Sequence, residues 1–172
     1  MVDIIVEDGT GVAYANSYIT VSGVGAYSNI VGYDAWNDIG LTTIIKEQAL
    51  MRATRYINNL PWKGRRSVQD QPLAWPRIDL YDDDDRLVPS NSIPQNVIDS
   101  VCEAAVLCLP DSTIELEPIL TKDDYITKEQ VTGTVAVAYV VNNQSLRSRS
   151  TVIESKLRGY LRNKITVELI RN

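Results

Sequence analysis

Three groups of residues in this 172-residue chain have types and spacing that bear on chemistry. The first is basic and aromatic: Lys63, Arg65 and Arg66 follow Trp62, with Trp75 a little further on. Cationic side chains beside indoles could hold phosphates and stack bases. The same residues could instead form a salt-bridged turn, with Arg65 or Arg66 paired to Asp70 or Asp79 and both indoles in the core. The turn is favoured, because the tryptophans stand beside prolines in an apolar context and a large ring stabilises most when buried. The second group is Asp82–Asp85. A calcium loop needs spaced oxygen ligands, a glycine at the sixth position and a terminal glutamate. Four consecutive aspartates without them are expected to be a solvated turn. The third group is Cys102 and Cys108, six apart on a predicted helix and so on different faces. With no histidine in the chain they make no zinc site, and both are expected to be buried and inert.

The missing histidine also removes the commonest general base and the usual activation of serine and cysteine nucleophiles. There is no phosphate-cradling glycine loop, no nucleophile elbow and no paired metal motif. Neither an enzyme nor a cofactor is expected. Length and composition, 44% hydrophobic and 23% charged, fit one soluble globular domain without a staple. No apolar run approaches the ~20 residues of a membrane span. The first residues do not form a signal peptide, so a cytosol-like compartment is expected.

Charge is segregated. The net charge is −5, yet residues 145–172 hold Arg147, Arg149, Lys156, Arg158, Arg162, Lys164 and Arg171 against Glu154 and Glu168. That segment carries +5 and the remainder −10. Such a division speaks to partners more than to fold.

The elements that must position these groups follow from periodicity. Asp3–Glu7 reads as a strand or extended arm. Thr20 caps a predicted helix over Val21–Val31, which Gly32 stops, although Gly23 and Gly25 weaken it. A stronger helix spans Thr43–Leu60, with Thr43 as cap, Glu47 in its first turn, a stripe of Ile45, Ala49, Ala53, Tyr56, Ile57 and Leu60, and Lys46, Arg52 and Arg55 off the stripe. Five of the seven prolines then fall between Pro61 and Pro94. That density forbids a long regular element and predicts an ordered connector, held by Trp62, Gly64, Trp75, Pro76 and Pro94. Ser92 and Gln95 stand at capping-box spacing before a helix carrying Val97, Ile98, Val101, Cys102 and Ala105. Val131–Val141 reads as one arm of a hairpin turning near Gly133. Thr151–Asn163 is a further helix with Ile153, Leu157, Tyr160 and Leu161 as its stripe, followed by a terminal strand over Ile165–Ile170. The expected fold is mainly α: a bundle of three or four helices, a small antiparallel β hairpin and extended terminal segments.

W-K-G-R-R followed by L-A-W-P-R, an acidic turn, V-P and the helix start P-Q-N-V-I, together with the opening V-E-D-G-T-G-V-A-Y-A-N-S-Y, resembles the head–tail connector (adaptor, or head-completion) proteins of tailed bacteriophages up to about residue 109. Some relatives carry another label, a single-stranded-DNA-binding protein of a primosomal type. The first resemblance implies a structural virion protein in the phage neck, made in the host cytoplasm. It would form a ring, a dodecamer by the portal's symmetry, between the portal protein and a tail or stopper protein. Genomic DNA would pass through the channel near Lys63, Arg65 and Arg66. The second label implies single-stranded DNA as partner, against which the net acidity weighs.

On the first reading the chain divides into a helical domain, 1–145, and a basic docking segment, 146–172. The segment would meet the portal through Arg147, Arg149, Ile153, Lys156, Leu157, Arg158, Tyr160, Leu161, Arg162 and Lys164, with Val167 and Leu169 adding to a sheet edge. The bland alternative is that this helix and strand complete the monomer's own core.

Overall fold

The computed structural model describes residues 3–110, 129–130, 136–137 and 152–162. Four helices pack together: α1 (Val21–Val31), α2 (Thr43–Asn58), α3 (Gln95–Leu107) and α4 (residues 152–157). Two antiparallel ladders accompany them: β1 (Arg65–Arg66) with β2 (Arg77–Ile78), and the hairpin of β3 (Glu129–Gln130) with β4 (Ala136–Val137). The mainly helical architecture with a small hairpin is the one expected from sequence. The hairpin's paired residues flank Gly133 in sequence. The terminal strand over Ile165–Ile170 lies outside the described residues, as does the division near residue 145.

α3 is the central element. Every residue from Ser100 to Leu107 is buried, so the helix is enclosed on all sides, as its mostly small and aliphatic sequence requires. It packs chiefly on α2, whose Ala49, Leu50, Ala53 and Ile57 are fully buried, and also on α1. Two small alanines on this stripe let the helix axes come close. α4 closes the bundle with Ile153 and Leu157, both in the core. A polar clasp fixes it there. Lys156 Nζ donates to the Tyr27 hydroxyl at 2.8 Å and lies 3.7 Å from carboxylate oxygens of both Asp99 and Glu103. Tyr27 and Tyr33 each donate to Glu103, at 2.8 Å.

The helix ends show which local signals prevailed. Thr20 caps α1, accepting from the Gly23 N–H at 3.0 Å, and Gly32 ends it with φ +84°, a left-handed conformation suited to glycine. α2 is capped by Thr42, one residue before the expected Thr43, and ends at Asn58 with Asn59 beyond it. Glu47 therefore falls past the first turn and is buried. The Ser92–Gln95 capping box does not form. Ser92 Oγ donates instead to the Pro89 carbonyl at 3.1 Å, and Pro94 holds the N-cap position with its fixed φ. The C-terminal helix is shorter than expected, passing into a 3-10 turn (Arg158–Tyr160) and then extended chain. Another 3-10 turn (Asp34–Asn37) drives Trp36 into the core, a role its isolated position in the sequence did not announce.

The connector packs as a wedge. Trp75 is fully buried and meets the rings of Trp62 and Tyr160 edge-on, at centroid distances of 5.4 and 5.7 Å. Trp62 Nε1 donates to the Ile57 carbonyl at 3.1 Å, tying the wedge to the end of α2. The Trp75–Pro76 peptide is cis. Trp75 thus joins the connector to the chain after α4, and Trp62 ties both to the end of α2. Trp75→Ala is expected to cost about 3–5 kcal/mol as a core truncation, read by urea denaturation. A loss below about 1 kcal/mol would show that the ring does not hold these parts together.

Candidate nucleic-acid interface

The site begins with the chain over residues 61–66, which is bonded on both sides. On one side Arg162 N–H donates to the Pro61 carbonyl, and Lys63 N–H to the Tyr160 carbonyl, both at 2.8 Å, while Trp62 bridges Leu161. On the other side Arg65 and Arg66 pair with Ile78 and Arg77. The ends of the segments W-K-G-R-R and L-A-W-P-R therefore meet in the two-stranded ladder of β1 and β2, and the chain after α4 joins the patch through the Trp62–Leu161 bridge.

Gly64 has φ +67°, and a Cβ there would collide with the Ile78 carbonyl oxygen. Only glycine fits this close passage of two backbones. The space is used by Arg77, which is buried. Its guanidinium donates to three carbonyls: Nε to Lys63 at 2.6 Å, Nη1 to Ala74 at 2.8 Å and Nη2 to Gly64 at 2.9 Å. Carbonyl dipoles satisfy its donors but leave its charge uncancelled. Burial pushes its pKa below the usual guanidinium range, and the nearby cations Arg162 and Arg66 push it further the same way. Arg66 and Arg162 are both exposed, and neither has a carboxylate partner among the described residues. Arg77 thus feels two such exposed cations, Arg66 paired with it across the ladder and Arg162. Like charges held together repel, and an anion relieves that repulsion.

The other basic residues divide clearly. Arg65 is on the opposite side of its strand from Arg66 and pairs with Asp79, its Nε donating at 2.9 Å. Lys63 Nζ is spent on the Gly159 carbonyl at 2.7 Å. Lys156 belongs to the clasp with Asp99 and Glu103, and Arg86 lies 3.5 Å from Asp84. Arg52 and Arg55 on α2 and Arg158 after α4 are exposed and have no carboxylate partner among the described residues.

Of the expected docking residues, Arg147, Arg149, Lys164, Val167 and Leu169 lie outside the described residues. Ile153 and Leu157 are core residues, and Tyr160 and Leu161 are half-buried against Trp75 and Trp62. The apolar stripe is therefore used within the chain, and the basic side chains that this segment exposes among the described residues are Arg158 and Arg162, beside exposed Val152, Glu154 and Ser155. The indoles of Trp62 and Trp75 are buried, so neither is a stacking platform; among the described residues the exposed aromatic rings are Tyr14 and Tyr81, 84% and 56% accessible. The Asp82–Asp85 run is a hairpin turn between the bridged residues Tyr81 and Leu87, with Asp82 Oδ1 accepting from the N–H groups of Asp84 and Arg86. The two cysteines are free, and burial pushes their thiols up to about 12 for Cys102 and about 11 for Cys108. Among the described residues no helix is long and apolar enough to cross a membrane.

Among the described residues the helical bundle thus presents two exposed arginines, Arg66 and Arg162, without a carboxylate partner. The chain belongs to the family described as "Putative DnaT-like ssDNA binding protein", whose model matches residues 2–172. That description is of a DNA-binding, non-catalytic family. No curated protein and no solved structure matches the chain.

This assignment corrects the connector resemblance. The family match spans nearly the whole chain, whereas that resemblance stopped near residue 109 and rested on residues that are structural. Trp62, Trp75 and Pro76 are buried, Gly64 permits a close backbone passage, and Arg77 binds carbonyls. Such residues specify packing and carry little information about partners. The dodecameric ring, the portal and tail proteins, the channel DNA and the location in a virion neck fall with it.

Arg77→Gln should cost about 2–4 kcal/mol, because it leaves buried carbonyls without donors. Arg66→Gln and Arg162→Gln should each change stability by less than about 0.5 kcal/mol, as exposed substitutions do. Urea denaturation of the three variants checks this, and equal losses at all three positions would refute the division into one structural and two available arginines.

Proposed function

We propose that this protein binds single-stranded DNA through the edge formed by Arg66 and Arg162, with Arg77 behind them, and performs no chemistry on it. The observation that supports the reading most is that Arg77 feels the charge of both Arg66 and Arg162, which are exposed and have no carboxylate partner among the described residues. Membership of a DNA-binding family supports it independently. Arg66 and Arg162 contact phosphates, and Arg77 contributes field without leaving its carbonyls. Arg158 extends the edge along the chain, and Arg52 and Arg55, three apart on the exposed side of α2, extend it past Pro61. The division of the basic residues answers the objection from net acidity. Acidic residues elsewhere lower overall affinity, but they do not neutralise this edge. With the tryptophans buried, stacking falls to an exposed ring such as Tyr81 and affinity depends mainly on charge.

Fluorescence anisotropy with a labelled oligothymidylate tests the reading. Binding should weaken steeply with salt. In Arg66→Gln/Arg162→Gln the slope of log K against log salt should fall by about 0.7 for each phosphate that is no longer neutralised. Absence of binding at low salt, or a double variant with unchanged affinity and slope, would refute it.

A further inference from the structure

Glu103 is the only charged residue among the buried positions of α3. A buried ion pair contributes little net stability compared with apolar side chains in the same space, because both charges leave water. What such a pair supplies is direction. Ile153 and Leu157 hold α4 to the bundle by apolar contact, which is non-directional and tolerates a small slide or turn of the helix. With six residues, α4 is under two turns long and too short to hold its own geometry. Lys156 is different. Its ammonium meets oxygens from two helices: the Tyr27 hydroxyl on α1 at 2.8 Å, and Asp99 and Glu103 on α3, each at 3.7 Å. Those partners are themselves fixed. Tyr27 and Tyr33 donate to Glu103, and Gln95 Nε2 donates to Asp99 at 2.7 Å. A slide or turn of α4 would break these contacts together.

The chain that follows depends on that register. From Gly159 to Arg162 it is bonded throughout to residues 61–63. The Gly159 carbonyl accepts from Lys63 Nζ at 2.7 Å, and the Tyr160 carbonyl from Lys63 N–H at 2.8 Å. Leu161 bridges Trp62, and Arg162 N–H donates to the Pro61 carbonyl at 2.8 Å. The turn has little room to shift, since a Cβ at Gly159 would stand 2.8 Å from the Asp83 carboxylate. We propose that Lys156 is the positioning residue for Arg162. Its clasp holds α4 in the register that delivers this arginine to the strand-binding edge, and Lys156 itself does not touch the strand. This rests on the single-strand reading above and deepens it.

Two variants open the clasp from the side of the bundle and leave Lys156 in place. Tyr27→Phe changes no charge, and Asp99→Asn/Glu103→Gln removes two negative charges. Charge alone would leave DNA binding unchanged in the first and tighten it in the second. Positioning predicts otherwise. Both should weaken binding of a labelled oligothymidylate toward the level of Arg162→Gln, with the salt slope lower by about 0.7, the share of one phosphate. Adding Arg162→Gln to either should then cause no further loss. The free protein gives a second readout, hydrogen exchange followed by NMR. The Arg162 amide should exchange at least about tenfold faster in both variants, as a locally opened segment does. The Val88 amide, bonded to the Leu80 carbonyl at 2.9 Å, should keep its wild-type rate. Unchanged exchange at Arg162, equal acceleration at Val88, strand binding that is unchanged or tighter, or losses additive with Arg162→Gln would each overturn the proposal and leave the single-strand reading standing. Faster exchange at Arg162 alone, with no strand binding even by the wild type, would refute that reading and uphold Lys156 as the residue that places Arg162.

Discussion

The Arg77 guanidinium, set on the carbonyls of Lys63, Gly64 and Ala74, is the contact on which the rest of the structure depends. It joins the two halves of the connector where the chain would otherwise have free backbone acceptors in a buried place. Removing a guanidinium from water is costly, and hydrogen bonds to a charged group, about 1.5–3 kcal/mol each, offset that cost here. The neighbouring requirements follow from this one contact. Gly64 must lack a Cβ for the strands to pass, and Trp75 fills the volume beneath them. Tyr160 then packs edge-on against Trp75 and brings the chain after α4 alongside Pro61–Lys63. The proposed binding rests on the same chemistry. Because neutral carbonyls hold Arg77, its charge persists, and Arg66 and Arg162 add to it.

The helices were legible because each is encoded locally. Stripes at a 3.6-residue period marked α2 and α3, and Thr20 and Gly32 bounded α1. The errors lie where several local signals compete. Thr42 and Thr43 are equivalent as caps in sequence, and only the path of the preceding chain selects Thr42. Ser92 had a capping geometry available and made a turn with Pro89 instead. Trp36 stands outside any periodic pattern, so its burial is a tertiary fact with no local signature.

The site was only half legible. Lys63, Arg65 and Arg66 were picked out by sequence, but their fates differ: a carbonyl, an aspartate and solvent. Alternation along β1 separates Arg65 from Arg66, yet which of them meets Asp79 depends on the pairing with β2. Arg77 and Arg162 were not joined to this group, because 14 residues separate Arg77 from Lys63, and α3, the β3–β4 hairpin and α4 separate Arg162 from both. The signal that could have found Arg77 is the L-A-W-P-R segment itself, where an arginine in an apolar, proline-fixed context must have buried acceptors. The connector resemblance misled for a related reason. It was carried by residues that build this patch, and packing residues recur wherever the packing does.

The central claim is that the charge of Arg77, Arg66 and Arg162 forms one anion-receiving edge. It is tested most directly by observing the arginine Nε–H signals by NMR while an oligothymidylate is added at low salt. The account predicts that Arg66 and Arg162 shift together and saturate at one affinity, while Arg65 and Arg86, already paired with Asp79 and Asp84, do not move. Shifts confined to other arginines, or no shift at Arg66 and Arg162 when the strand is bound, would contradict it.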